Sequence, residues 1–229
     1  KNMALIKLHK RTGLIPVYTS VAWDIRRNEL QIFTDSGRLM RPIFYIENNR
    51  ISSHKRENLK DVLNSGGYTW TQLVSGFLKK NDATYNLDTC KLYEIEELYG
   101  NGISDNKLES NKGIIEYIDS AETDTLLIAM EDQPFEDNLY THLEIHPSLM
   151  LGVMGNQIVF PENNQLPRDL FSCGQSKQAV SLYHSNYQNR IDKMGVILNS
   201  GQVPLIKSRY LEHINNEEHP YGENAIVAI

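Results

Sequence analysis

The chain has 229 residues, of which 40% are hydrophobic and 23% charged, with a formal net charge of -6. That length holds one large domain or two to three small ones, and the apolar fraction is enough for ordinary cores. The acidic balance excludes a generic nucleic-acid binder driven by bulk positive charge, the two cysteines, Cys90 and Cys173, exclude a disulfide framework, and no apolar run approaches the roughly 20 residues a membrane span needs.

The opening segment NMALIKLHKRTG spaces Met3, Ile6 and Lys10 helically and then reaches Gly13, a helix stop. It lacks a continuous apolar core and a small-residue cleavage site, so no signal peptide is expected and the chain reads as soluble and intracellular. LIPVYTSVAWDI and ELQIFTDSGRLMRPIFYIE predict a small antiparallel meander, with Asp35, Ser36 and Gly37 supplying turn chemistry. Arg38 and Arg41, after that turn, are expected on a solvated face.

From Ile51 to Lys80 the pattern is helical: KRENLKDVLNSGG ends at paired glycines, a domain boundary is expected near Gly66, and TWTQLVSGFLKK resumes the period. LYEIEELYG predicts a short acidic helix. GIIEYIDSAETDTLLIAM predicts two strands around an acidic turn, where Glu122 and Asp124 fit a solvated hairpin loop better than a metal site.

Beyond Leu139 the chain is chemically richer. THLEIHPSLMLGVMG is strand-like, so His142, Glu144 and His146 alternate onto one face and could offer a metal three ligands. Pro147 terminates that strand, and a lone alternating trio lacks the supporting outer shell a metal site needs, so no metal is assigned there. In NNQLPRDLF, Pro167 suits a first helical turn, because its fixed φ fits and its missing N–H would be unpaired there anyway. Arg168 then sits where unpaired N–H groups and the positive end of the helix dipole would meet a bound phosphate beside a guanidinium fork. Asp169 is adjacent, and adjacent helical residues do not face each other.

Residues 164–210 carry six basic side chains (Arg168, Lys177, Arg190, Lys193, Lys207 and Arg209) against Asp169 and Asp192, a local surplus, while the acidic surplus lies elsewhere, notably in EIEELYG and SAETD. Val180, Tyr183, Tyr187, Ile191 and Met194 keep a helical period, which marks the aromatics as packing residues rather than a base-stacking platform. Ser172 and Gln175 fit a capping box that would begin a helix at that point; a helix from Pro167, interrupted near Gly174, is the other reading. GQSKQ lacks the GxxxxGK[ST] spelling of a phosphate loop. Cys173 and His184 have no spacing that specifies a nucleophile and base, and Cys173 reads as an ordinary small buried residue.

The blocks EIHPSLMLGV, NNQLPRDLF and SKQAVSLYHSNYQNRIDKM, followed by NAIVAI, closely resemble the second-largest subunit of multisubunit DNA-directed RNA polymerases in its eukaryotic, archaeal and large-DNA-virus form. The resemblance extends upstream to LQIFTDSGRLMRPIFYIE, GGYTWTQLV and GIIEYIDSAETDTLLIAM in the family's order, and so covers most of the chain. It implies an α+β chain of small mixed external domains, residues 1–64 and 65–135, followed by part of a mixed, β-rich hybrid-binding domain, residues 136–229. An insertion relative to the usual family spacing is expected near 81–111.

The resemblance also implies roles. At Arg168 the family contacts the triphosphate of the incoming nucleotide. Gln165 and Phe171 match neighbours in the same wall, and Lys177 and Gln178 match residues near the growing RNA end; for these four a packing or surface role stands beside the functional one. No catalytic residue is expected in this chain, because magnesium is held mainly by an aspartate motif on the largest subunit, and a further acidic pair is expected just beyond NAIVAI. The chain is therefore expected to be an internal, truncated piece, inactive alone, that helps position nucleotide and RNA-DNA hybrid during transcription. Its implied partners are the largest and other polymerase subunits, DNA template, RNA-DNA hybrid and nucleoside triphosphates, with no membrane. The alternative from another class is a subunit-interaction or scaffold module without a direct active-centre role; a weaker one is an independent nucleotide-binding protein. Nucleus or cytoplasm is the expected location, and the virion for a viral source, which the abundance of Asn, Ile and Lys favours.

Overall fold

The structure is a computed structural model and describes residues 2–35, 37–47, 50–51, 69–76, 102–130, 139–176, 178, 198–213, 220 and 222–229. Helix α1 (Asn2–Arg11) ends as its sequence predicts, with Gly13 at φ 71° and its N–H donated to the Lys10 carbonyl. A two-stranded antiparallel hairpin follows, β1 (Ser20–Asp24) with β2 (Glu29–Phe33).

The expected meander stops at that hairpin. Strand β3 (Arg41–Glu47) does not pair with β2; it joins a five-stranded sheet with β4 (Arg50–Ile51), β5 (Ile115–Ile118), β6 (Ile128–Ala129) and β7 (His142–Leu143). Phe44 is opposite Ile115 on one neighbour and Leu143 on the other, so β5 and β7 occupy the two edges of β3. β2 is not a partner because both edges of β3 are taken by strands from further along the chain, while its two faces are covered by α2 and α1. The sheet draws strands from either side of residues 64 and 135.

Alternation gives this sheet two unlike faces. Phe44, Ile115, Tyr117 and Leu143 point to one side, where they form the apolar core with Trp70, Leu73 and Val74 of α2 (Trp70–Ser75). Helix α2 begins in a capping box, with the Thr69 hydroxyl accepting from the Gln72 N–H and the Gln72 side-chain oxygen accepting from the Thr69 N–H. It ends at Gly76 in the left-handed region, φ 85°, where an added Cβ would lie 1.5 Å from the Asn111 carbonyl oxygen. That close approach lets the Ile114 N–H bond the Leu73 carbonyl at 2.8 Å and ties α2 to β5, just beyond α3 (Asp105–Ser110).

The other face carries Arg41, Tyr45, Glu47, Glu116 and His142, and α1 covers it with Lys10 and Arg11. Helix α4 (Ser120–Thr123) follows β5, capped by Asp119, whose carboxylate accepts from the Glu122 N–H. The acidic segment is therefore a helical turn and not a hairpin loop, and β5 and β6 are not paired with each other. Glu122 is fully buried, opposite to the solvated position its sequence suggests, because Lys7 and Lys10 of α1 reach it.

The lead after β7 differs as well. Pro147 opens a 3-10 turn over Pro147–Leu151, for which the His146 ring accepts from the Ser148 N–H, and α5 (Gly152–Asn156) continues from it. A second 3-10 turn, Pro161–Asn163, leads to α6 (Leu166–Ser176). Among the described residues no helix is long and apolar enough to cross a membrane.

Candidate functional site

Helix α6 runs unbroken through Ser172, Gly174 and Gln175, so neither the capping box at Ser172 nor an interruption at Gly174 is realised. Pro167 decides this: it enforces helical φ in the first turn, and the Gln165 carbonyl receives the Arg168 N–H at 2.9 Å and the Asp169 N–H at 3.4 Å. The Leu166 N–H lies in that same first turn, where no intrahelical acceptor exists.

Arg168 is exposed, and among the described residues its guanidinium has no hydrogen bond or ion pair. The neighbouring Asp169 does not neutralise it. Successive 100° steps put Arg168, Phe171, Ser172 and Gln175 on one side of α6 and Leu166, Asp169, Leu170 and Cys173 on the other. Asp169 and Cys173 are half-buried while Arg168 and Gln175 are exposed, and Leu166 and Leu170 on the Asp169 side are exposed as well, so α6 is open on both sides among the described residues. Gln165 and Phe171 border Arg168 and are likewise exposed. Gln178 is exposed just past the helix, its N–H donated to the Gln175 carbonyl at 3.0 Å; Lys177 lies outside the described residues, as do Val180 to Met194. The structure thus brings Gln165, Arg168 and Phe171 together on an open surface whose cation and first-turn N–H are unpaired among the described residues, and leaves Gln178 about two turns beyond Phe171.

Charge is used differently in the layer between α1 and the sheet. The Lys10 ammonium is 1% exposed and stands 3.0 Å from Glu122 and 3.4 Å from Glu116. Lys7 is 3.1 Å from Glu122, and Arg11 is 2.9 Å from Glu116 and 3.2 Å from Glu47 while its guanidinium lies 3.8 Å from the Tyr45 ring centroid. Burial by itself would raise the Glu116 carboxyl, but Arg11 and Lys10, with His142, outweigh it and hold it well below the usual carboxylate range. His142 lies 3.6 Å from Glu116, and burial lowers it despite that neighbour. With every acid matched by a base, this layer is a structural ion network, not a poised reactive centre.

The other singled-out residues also have structural partners. His142 faces Glu116, Glu144 pairs with Arg41, and His146 stacks on Tyr210 and His213 with centroids 4.4 and 5.0 Å apart, so the alternating trio disperses to three different neighbours. Arg38 and Arg41 are not on a solvated face. Arg38 donates to Asp119 at 2.8 Å and to the Tyr18 carbonyl, and Arg41 meets Glu144, because carboxylates from 81 and 103 residues away arrive beside them. Sequence reading missed the basic stripe Lys7, Lys10 and Arg11. Its signal was present: three bases on the same helical stripe as Ile6, and a single glutamate inside the apolar strand IEYI.

A family model described as RNA polymerase Rpb2, domain 4, matches residues 2–47, and one described as RNA polymerase Rpb2, domain 6, matches residues 154–229. The chain is 34% identical to DNA-directed RNA polymerase II subunit RPB2 of Eremothecium gossypii over 98% of its length and 19% of that protein's. It is 35% identical to DNA-directed RNA polymerase II subunit 2 of Arabidopsis thaliana, again over 98% of this chain and 17% of the relative. DNA-directed RNA polymerase subunit 2 of Acanthamoeba polyphaga mimivirus matches at 31% over 97% of this chain and 17% of the relative. The chain spans less than a fifth of the length of these relatives.

Proposed function

From the premise that this chain belongs to the second-subunit family of DNA-directed RNA polymerases, we propose that it is a segment of such a subunit that helps position the incoming nucleoside triphosphate and the RNA-DNA hybrid. The observation that carries this reading is the exposed Arg168 guanidinium in the first turn of α6, which has no hydrogen bond or ion pair among the described residues. A triphosphate there would meet a two-pronged cation, the Leu166 N–H and the helix dipole together. A fixed guanidinium neutralises the triphosphate on binding and keeps that contact as charge shifts onto the leaving pyrophosphate, so it holds the nucleotide in place throughout. Gln165 offers an amide beside it, Phe171 an exposed ring at the same wall, and Lys177 and Gln178 are assigned to the RNA end.

Nucleotidyl transfer also requires carboxylates that fix magnesium. Among the described residues no three His, Cys, Asp or Glu side chains converge, so the residues here do not fit a metal centre and no step is derived through one. We assign magnesium to residues outside this chain, chiefly on the largest subunit, and expect the chain alone to be inactive. The two external domains, 1–64 and 65–135, and the hybrid-binding segment, 136–229, belong to the same proposal, as do the other polymerase subunits and DNA template as partners and the nucleus, cytoplasm or virion as location.

One observation favours the scaffold reading: Leu166 and Leu170 on the opposite side of α6 are 70% and 63% exposed, which suits a face that packs against another part of the enzyme. Both uses of the helix are compatible, since they take different sides. The test is template-dependent RNA synthesis by the full-length subunit assembled with its largest-subunit partner. Arg168→Ala is expected to raise the nucleotide KM about tenfold or more, the effect of losing a charge-assisted contact, with assembly intact. Unchanged nucleotide dependence in an assembled enzyme would leave the scaffold reading.

A further inference from the structure

We propose, resting on the reading of Arg168 above, that Asn164 is a positioning residue that sets where Arg168 points. The chain reaches α6 through a tight loop whose first residue, Phe160, has φ 49° and ψ 58°. A phenylalanine in the left-handed region is disfavoured by the clash of its Cβ with the backbone, and such a conformation persists only where surrounding contacts fix it. Here the fixing contacts are few and identifiable. Pro161 opens the 3-10 turn, the Asn163 N–H bonds the Phe160 carbonyl at 3.0 Å, and the Asn164 N–H bonds the Pro161 carbonyl at 3.3 Å. Across the base of the loop, the Asn164 side-chain amide donates to the Val159 carbonyl at 3.3 Å and joins the residue before the left-handed turn to the residue after it.

The step from this closure to Arg168 is short and stiff. Gln165 follows Asn164 at once, and its carbonyl receives the Arg168 N–H at 2.9 Å. Leu166 and Pro167 between them are already helical, and the proline ring removes one of the remaining soft torsions. A change of direction at residue 164 therefore swings the first turn of α6 as a unit. Arg168 has no carboxylate among the described residues to hold it, so the direction of its helix decides where the guanidinium lies. A misplacement of about 1 Å at a charged positioning contact is enough to weaken it strongly.

The experiment uses the assembled full-length enzyme and measures nucleotide KM and kcat for Asn164→Asp, which keeps the size but replaces the donor with an oxygen that repels the Val159 carbonyl, and for Asn164→Ala. Each is expected to raise KM about fivefold, the effect of one net hydrogen bond, with kcat nearly constant and with no further rise when combined with Arg168→Ala. An unchanged KM in both variants, while Arg168→Ala raises it, overturns the role of Asn164 and spares the reading of Arg168. Full additivity with Arg168→Ala overturns it too, because independent effects would mean the two residues act apart. Loss of assembly in both variants assigns Asn164 to folding and overturns it equally. An Arg168→Ala enzyme with unchanged KM removes the reading of the site and this inference with it.

Discussion

Lys10 shows at the scale of one residue what distance in sequence conceals. Its ammonium is buried between carboxylates, and Glu122 comes from 112 residues away. Glu122→Ala would leave Lys7 and Lys10 short of a counter-charge in a dry setting, and the expected cost is about 3–5 kcal/mol, read as a lower denaturant midpoint with little change in slope. Replacing Lys10 and Glu122 together, by Met and Leu, should cost clearly less than Glu122→Ala, since the pair's burial penalty disappears with its attraction; a double variant as weak as the single one would sink this account. Arg168 was legible because its cue is local: a proline one residue before it marks a first helical turn. The pairings of Arg38 with Asp119 and Arg41 with Glu144 were not, since nothing in the spacing of a hairpin announces a carboxylate that arrives from elsewhere in the fold.

At the scale of elements, a local stop signal was readable and a choice of partner was not. Helix α1 ends at Gly13 as its sequence dictates, and α6 starts beside Pro167, whereas β3 pairs with β5 and β7, whose approach to its two edges no local signal announces. The lead into α5 looked like a strand because its apolar residues are dense, but Pro147 with the His146 cap turned it helical. The end of α2 offers a graded test. Thr69→Ala removes one half of a capping box and should cost about 1 kcal/mol. Gly76→Ala should cost more, about 2 kcal/mol or above, since the new Cβ would enter a left-handed position and also press on the Asn111 carbonyl. Thermal unfolding of the two variants side by side gives the ranking, and a harmless Gly76→Ala would contradict the close α2–β5 approach.

For the whole molecule, the buried network makes stability depend on acidity. His142 is held neutral by burial, so the unfolded chain takes up its proton at higher pH than the folded one, and stability begins to fall as pH drops below about 6.5. Glu116 is held well below the ordinary carboxylate range by Arg11 and Lys10 against its burial, and Asp119 is lowered by the Glu122 N–H, Ser20 and Arg38 against its own. Both acids have the same sign: their contribution is present above about pH 4.5 and is lost progressively as pH falls through their depressed values. Urea midpoints between pH 8 and pH 3 should therefore decline on the acid side in two stages, the upper one absent from His142→Phe; a midpoint that does not fall toward acid would contradict the ion network. Family membership was legible across most of the chain because ordered blocks carry it, whereas the charged face of the sheet was invisible until distant strands met. That face has a consequence for how the polypeptide could be divided. The cations that α1 brings to the layer end by residue 11, and the buried carboxylates they share, Glu116 and Glu122, follow residue 115. A backbone cleaved anywhere in the interval would yield two pieces carrying complementary charge on the surfaces they formerly shared, each a mould of the other, and co-expressed fragments should find each other in a single alignment because a helix displaced by one turn would carry Lys7 and Lys10 away from Glu122 and leave that carboxylate buried without a counter-charge.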